Sequence, residues 1–169
     1  TWREKIVSKI EQSKLRVVKQ GSLRPELIQK IETFVEANAL VLDEGTMALT
    51  YFDVHFDNFI VRGDQIVGML DFERTDILSI DYVLDVVQRM VNYPTKYASE
   101  EAEVLVRSED YEDLMGWYKE YYPELFQFPN LETRLKLYAI QHDLQQRYYW
   151  PDVEDLRKEL SRVVIGYPA

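Results

Sequence analysis

Apolar positions in this chain switch between two periods, and the switch marks out its elements. Trp2, Ile6, Ile10 and Val18 recur at helical spacing and predict a helix over roughly residues 2–19, closed by Gly21. Pro25 suits the first turn of a second helix, on which Leu27, Ile28, Ile31, Phe34 and Val35 form an amphipathic stripe. After a turn at Asp43-Glu44-Gly45 the period falls to two: Met47, Leu49 and Tyr51 alternate as in a strand. Asn58 then opens a β-hairpin, Phe59-Ile60-Val61, a turn at Arg62-Gly63-Asp64, and Ile66-Val67-Gly68-Met69-Leu70. Residues 74–80 read as a loop. A helix at about 81–92 follows, with Val83, Val86, Val87, Met90 and Val91 on its apolar face and Pro94 at its end.

The second half of the chain reads as helical. Ser99 can cap a short helix whose first turn is acidic (Glu100, Glu101, Glu103), and residues 111–121 form another segment stopped by Pro123. Asn130 can cap a long helix over 131–149, with Leu131, Leu135, Tyr138, His142 and Tyr149 on one side. Leu137, Ile140, Leu144 and Tyr148 widen the apolar surface, which predicts a central core element. Trp150-Pro151-Asp152 breaks it, and Val153, Leu156, Leu160 and Val163 give a last helix. The predicted class is mainly α with a small β-hairpin region, α+β, in a single domain over residues 1–169 without internal repeats.

Composition narrows the function classes. At 46% hydrophobic and 30% charged residues the chain is globular, and its length needs no disulfide or metal staple. Cysteine is absent, which excludes a thiol nucleophile and a disulfide framework. The net charge of −10 argues against nucleic acid, because phosphate binding needs clustered Lys and Arg. It could steer a cationic substrate, but a plain acidic surface is the more ordinary account. With no run of 18 apolar residues and no signal-peptide pattern, the expectation is a soluble, cytoplasmic protein that does not engage a membrane.

Candidate chemistry concentrates in residues 47–73. The strand runs into a loop carrying Asp53, His55, Asp57 and Asn58, and the hairpin delivers Asp71-Phe72-Glu73. Any one Asp or Asn in a loop is ordinary, because such side chains bond nearby backbone. Their joint spacing, an acid, an amide five residues on and a second acid after a hairpin, fits a magnesium-phosphate site. Elsewhere the sequence offers less. His55 and His142, the two histidines, form no zinc spacing with the acids. There is no Gly-rich phosphate loop and no G-x-S-x-G elbow. His142-Asp143 reads as a core histidine with an exposed neighbour. Asp81 reads as surface-facing or as a helix N-cap, and Tyr148-Tyr149-Trp150 as packing rather than a pocket wall.

Asp53-x-x-x-x-Asn58 followed by Asp71-Phe72-Glu73 resembles the catalytic segment of protein kinases and, more closely, that of the aminoglycoside phosphotransferase and choline kinase-like family. That family shows H-G-D-L-H-P-x-N, a short hairpin, and D-F-E or D-W-E. Asp53, His55, Asn58, Asp71, Phe72 and Glu73 match without a gap, while Tyr51-Phe52 replaces His-Gly and Phe56-Asp57 replaces Pro-Gly. The resemblance implies a protein-kinase-like C-terminal lobe and an ATP- and magnesium-dependent phosphotransferase acting on a small-molecule hydroxyl. Asp53 would be catalytic, Asn58 and Asp71 would hold the metal, and Tyr51, His55 and Glu73 would support them. Asp81 and Asp85 flank the position at which the family places an acid supporting the catalytic loop, with Val83 on the gap-free position. The family's N-terminal nucleotide-binding lobe is absent from this chain, so the chain alone is expected to bind ATP weakly and to be inactive. It would also uncover apolar surface near Met47, Phe59, Val67 and Met69, through which a homodimer could form. The alternative is a non-catalytic kinase-like binding or regulatory protein, favoured by Tyr51-Phe52.

Overall fold

The computed structural model describes residues 1–53, 56–97 and 104–151. The architecture is mainly helical with two small antiparallel sheets, α+β in class. The chain divides into two compact units: Thr1–Gly45 with the segment that begins at Pro129, and Thr46–Phe128.

The first unit is built on helices α1 (Trp2–Gln20), α2 (Pro25–Asn38) and α5 (Leu131–Tyr149). Thr1 and Glu4 close a capping box at the start of α1, where the Glu4 amide donates to Thr1 Oγ1 at 3.2 Å. At its far end Gly21 has φ 64°, a left-handed conformation that lets its amide and that of Ser22 turn back onto Val18 and Val17. The buried stripe is Trp2, Ile6, Ile10, Ser13 and Val17. Val18, placed on that face by its sequence spacing, is exposed, because seven residues after Ile10 the helix returns to Val17. On α2, Leu27, Ile31 and Val35 are buried, while Ile28 and Phe34 lie at the margin of the stripe.

Helix α5 is the centre of this unit, and α1 packs against it. Trp2 Nε1 donates to Tyr138 Oη at 3.0 Å, and the two rings meet edge to face with centroids 5.9 Å apart. Leu137, Tyr138, Ile140 and Leu144 are fully buried, but so are Arg134, Gln141, Asp143 and Arg147. Both arginines donate to main-chain carbonyls. Arg134 reaches the carbonyl oxygens of Val41 and Glu44 and, at 3.0 Å, Tyr138 Oη. Arg147 places Nε and Nη2 on the Ser22 carbonyl oxygen, at 3.2 and 3.1 Å. Three sequence expectations change here. Asn130 has φ 56° and makes no side-chain cap, so it serves by tolerating the left-handed conformation rather than by capping. Asp143, expected to be exposed, is buried. His142 is only half-buried, with Nε2 at 3.1 Å from Gln146 Nε2.

In the second unit β1 (Met47–Tyr51) pairs antiparallel with β4 (Thr75–Ser79), Leu49 opposite Ile77 and Tyr51 opposite Thr75. Residues 74–80, read as a loop, therefore contain a strand. Thr75-Asp76-Ile77-Leu78-Ser79 has two adjacent apolar residues and no alternation to announce it. The hairpin is β2 (Phe59–Arg62) and β3 (Gln65–Met69), with an irregularity between Ile60 and Val61. Gly63 takes φ 64° in its turn, where a side chain would be strained. A 3₁₀ turn over Ile80–Tyr82 leads into α3 (Val83–Asn92), which buries Val83, Leu84, Val86, Val87 and Met90 and leaves Val91 half-buried. Helix α4 (Leu114–Tyr121) starts three residues later than expected, after a 3₁₀ turn at Ser108–Asp110, and Pro123 follows its end. The helix capped by Ser99 and the last helix at 153–163 lie outside the described residues.

Candidate active site

The site is assembled at the end of β1. Tyr51 is the last residue of that strand, and the Phe52 amide carries the β1–β4 ladder one step further by donating to the Arg74 carbonyl at 3.2 Å. The Phe52 ring meets Tyr82 edge to face at 6.1 Å. Asp53 follows, half-buried.

Asn58 ends a 3₁₀ turn over Phe56–Asn58 and is buried. Its Nδ2 donates to the Asp53 carbonyl, five positions back, at 3.0 Å. Its own carbonyl accepts the Leu70 amide at 2.8 Å, which joins the start of the hairpin to its exit. The Leu70 carbonyl accepts the Tyr51 hydroxyl at 3.1 Å. Tyr51, Asp53, Asn58 and the Leu70–Asp71 peptide are thus tied into one hydrogen-bonded circuit. Asp71 itself has φ 58° and ψ 53°, the left-handed conformation, and starts a 3₁₀ turn over Phe72–Arg74. Asp and Asn visit this region more readily than other side chains, but at some cost in backbone energy.

Burial holds the Tyr51 hydroxyl above the ordinary phenol range; a hydrogen bond with the Asn58 side chain works against the shift, and the charges of Asp53 and Asp71 add to it. Both carboxylates and the amide therefore act on one hydroxyl. Sequence reasoning grouped Asp53, Asn58 and Asp71 by spacing; the structure bonds Asn58 to the main chain of Asp53 and Leu70, and Tyr51 to the carbonyl that precedes Asp71. Glu73 is exposed and stands 4.0 Å from Arg74 Nε. His55 lies outside the described residues.

Two features were not found from sequence. Asp81 is neither surface-facing nor the cap of α3: it is fully buried and accepts the Ser79 hydroxyl. Asp85 is buried too and pairs with Arg89 Nε at 3.1 Å. Charged residues beside an apolar helix read as surface, so only their helical spacing of four could have shown the Asp85–Arg89 pair. The second feature is the target of the Tyr51 hydroxyl, whose only signal is that Tyr51 continues the phase of Met47 and Leu49.

Among the described residues no group of three or more His, Cys, Asp and Glu side chains converges as a metal site. The candidate pair from the sequence is one amide and one carboxylate, Asn58 and Asp71. A carboxylate and an amide oxygen are of the donor type that magnesium prefers. Among the described residues no helix is long and apolar enough to cross a membrane. No family model matches the chain, and neither a curated protein nor a solved structure matches it.

Proposed function

We propose that this chain carries the catalytic segment of an ATP- and magnesium-dependent phosphotransferase that acts on a small-molecule hydroxyl, with a protein-kinase-like lobe of the kind found in aminoglycoside phosphotransferases and choline kinases. The observation that carries the reading is the circuit joining Asp53, Asn58 and the Leu70–Asp71 peptide. It ties together residues whose types and spacing match that family, through contacts the match did not require. Phosphoryl transfer depends on positioning and charge neutralisation more than on covalent chemistry. In this reading Asp53 accepts and orients the acceptor hydroxyl, and the Asn58 amide holds the Asp53 backbone where it must stand. Asn58 and Asp71 would hold the magnesium ion, which would neutralise phosphate charge. Glu73, exposed beside them, is open to water or substrate.

The test is calorimetry and steady-state assay on the full-length protein. Asp71→Ala is expected to remove magnesium-dependent nucleotide binding. Asp53→Ala is expected to leave binding within about twofold and to lower transfer by about 10²–10⁴-fold, the range for loss of a positioned acid or base. Absence of magnesium-dependent nucleotide binding in the wild-type protein sinks the reading.

A second reading, a non-catalytic kinase-like binding protein, is favoured by one observation. Phe52, at a position where the resembling enzymes have glycine, is committed to packing on Tyr82. Nucleotide binding without transfer to any of a panel of amino alcohols and aminosugars would favour it.

A further inference from the structure

We propose that Tyr51 is a positioning residue: its hydroxyl, by holding the Leu70 carbonyl, sets the peptide that presents Asp71 to the cation. The proposal deepens the phosphotransferase reading and rests on it for the cation.

The argument begins with Asp71. Its backbone is left-handed, φ 58°, in a residue that carries a side chain. A conformation of that kind persists only where the surroundings enforce it. The side chain of Asp71 is exposed and so offers little packing to enforce it. Enforcement must come from the neighbouring peptides. On the N-terminal side the Leu70 residue is tied at both of its backbone groups, its amide by Asn58 at 2.8 Å and its carbonyl by the Tyr51 hydroxyl at 3.1 Å. That carbonyl belongs to the same planar unit as the Asp71 nitrogen, so fixing it fixes the plane from which Asp71 departs. On the C-terminal side the Phe72 ring lies 5.8 Å from the Tyr51 ring. One side chain therefore touches the residues on both sides of Asp71.

Tyr51 is well placed to be rigid itself. It is a strand residue paired with Thr75, and the ladder continues past it through Phe52 and Arg74. The hydroxyl is thus a fixed donor on a fixed frame, whereas Leu70 lies beyond the last paired residue of the hairpin. Without it, that carbonyl loses the hydrogen bond that fixes its direction.

The experiment uses Mn²⁺ as the probe, followed by electron paramagnetic resonance, together with amide hydrogen exchange by NMR, on the full-length protein. Tyr51→Phe keeps the ring contact and removes the hydroxyl. Expected are exchange at the Leu70 and Asp71 amides faster by about five- to tenfold, and Mn²⁺ affinity weaker by a similar factor, the size of one hydrogen bond. Phe72→Leu removes the ring contact and keeps the hydroxyl, and is expected to leave Mn²⁺ affinity within about twofold. Asp71→Ala is the reference, since it should abolish the site. If Asp71→Ala loses Mn²⁺ and Tyr51→Phe does not weaken it, the proposal is overturned and the reading of the site stands. If Phe72→Leu weakens Mn²⁺ as much as Tyr51→Phe, the ring and not the hydroxyl does the positioning, which also overturns it. If the wild-type protein binds no Mn²⁺, both fall.

Discussion

Lys14 shows how a residue on one helix can make its unit depend on pH. It extends from α1 to Glu32 on α2 at 2.7 Å and to Glu11, one turn back on its own helix, also at 2.7 Å. Burial lowers the affinity of its amine for a proton, but the hydrogen bonds and charges of Glu11 and Glu32 outweigh this, and the net shift is upward. A lysine whose folded pKa is raised binds its proton more tightly in the native state than when unfolded. Its contribution is complete below the unfolded value, about 10.4, and is lost as pH rises through the higher folded value. The thermal midpoint is therefore expected to fall on the alkaline side, above about pH 10, and Lys14→Met should flatten that fall. Differential scanning calorimetry between about pH 8 and 11.5 reads the fall and its flattening. Phe52 carries a different lesson at the same scale. A departure from a familiar motif looks disruptive in sequence, yet here the ring has a partner in Tyr82, and the ladder passes through its amide undisturbed.

Among the elements, α5 differs from a simple amphipathic helix because its buried face holds two guanidinium groups. Arg134 satisfies two carbonyl oxygens, those of Val41 and Glu44, and Arg147 satisfies one, that of Ser22. A buried carbonyl left without a partner costs roughly 1–3 kcal/mol. Arg134→Met is thus expected to destabilise the protein by about 3 kcal/mol, a loss that urea denaturation can check. The same helix explains what could be read in advance. Long periodic segments such as α1, α2 and α5 announced themselves, since apolar side chains at helical spacing can be buried only one way. The arginines and Asp143 did not, because a charge is assumed to face water until a partner is known. Strand β4 was missed for want of alternation, being held by its pairing with β1 rather than by its own pattern. The site was legible to the extent that it is local. Asp53 and Asn58 precede one hairpin and Asp71 follows it, all within nineteen residues. The Tyr51 bond to Leu70 spans the same stretch, but depends on where a carbonyl points, and no residue type encodes that.

At the scale of the whole molecule the sheets leave apolar side chains uncovered. Leu49 and Ile77, cross-strand partners, are 74% and 60% exposed, and the hairpin exposes Val61, Ile66, Val67 and Met69. Of the residues expected at such a surface, Met47, Val67 and Met69 are exposed and Phe59 is half-buried. Contiguous apolar surface of this kind favours association, whereas a net charge of −10 on each copy opposes it. We expect a weak homodimer strengthened by salt, because screening weakens the repulsion and leaves the apolar contact intact. Light scattering at about 20 mM and 500 mM salt checks this, and Leu49→Lys should return the protein to monomer. The order of the chain imposes a further condition. Trp2 on α1 meets Tyr138 on α5 across 136 residues of sequence. A ribosome adding about 5–20 residues per second needs on the order of 10 s to make that stretch. Throughout that interval Ile6, Ile10 and Val17 have no α5 to lie against. The nascent chain therefore carries a bare apolar helix during much of its own synthesis, a natural substrate for the chaperones that attend translation.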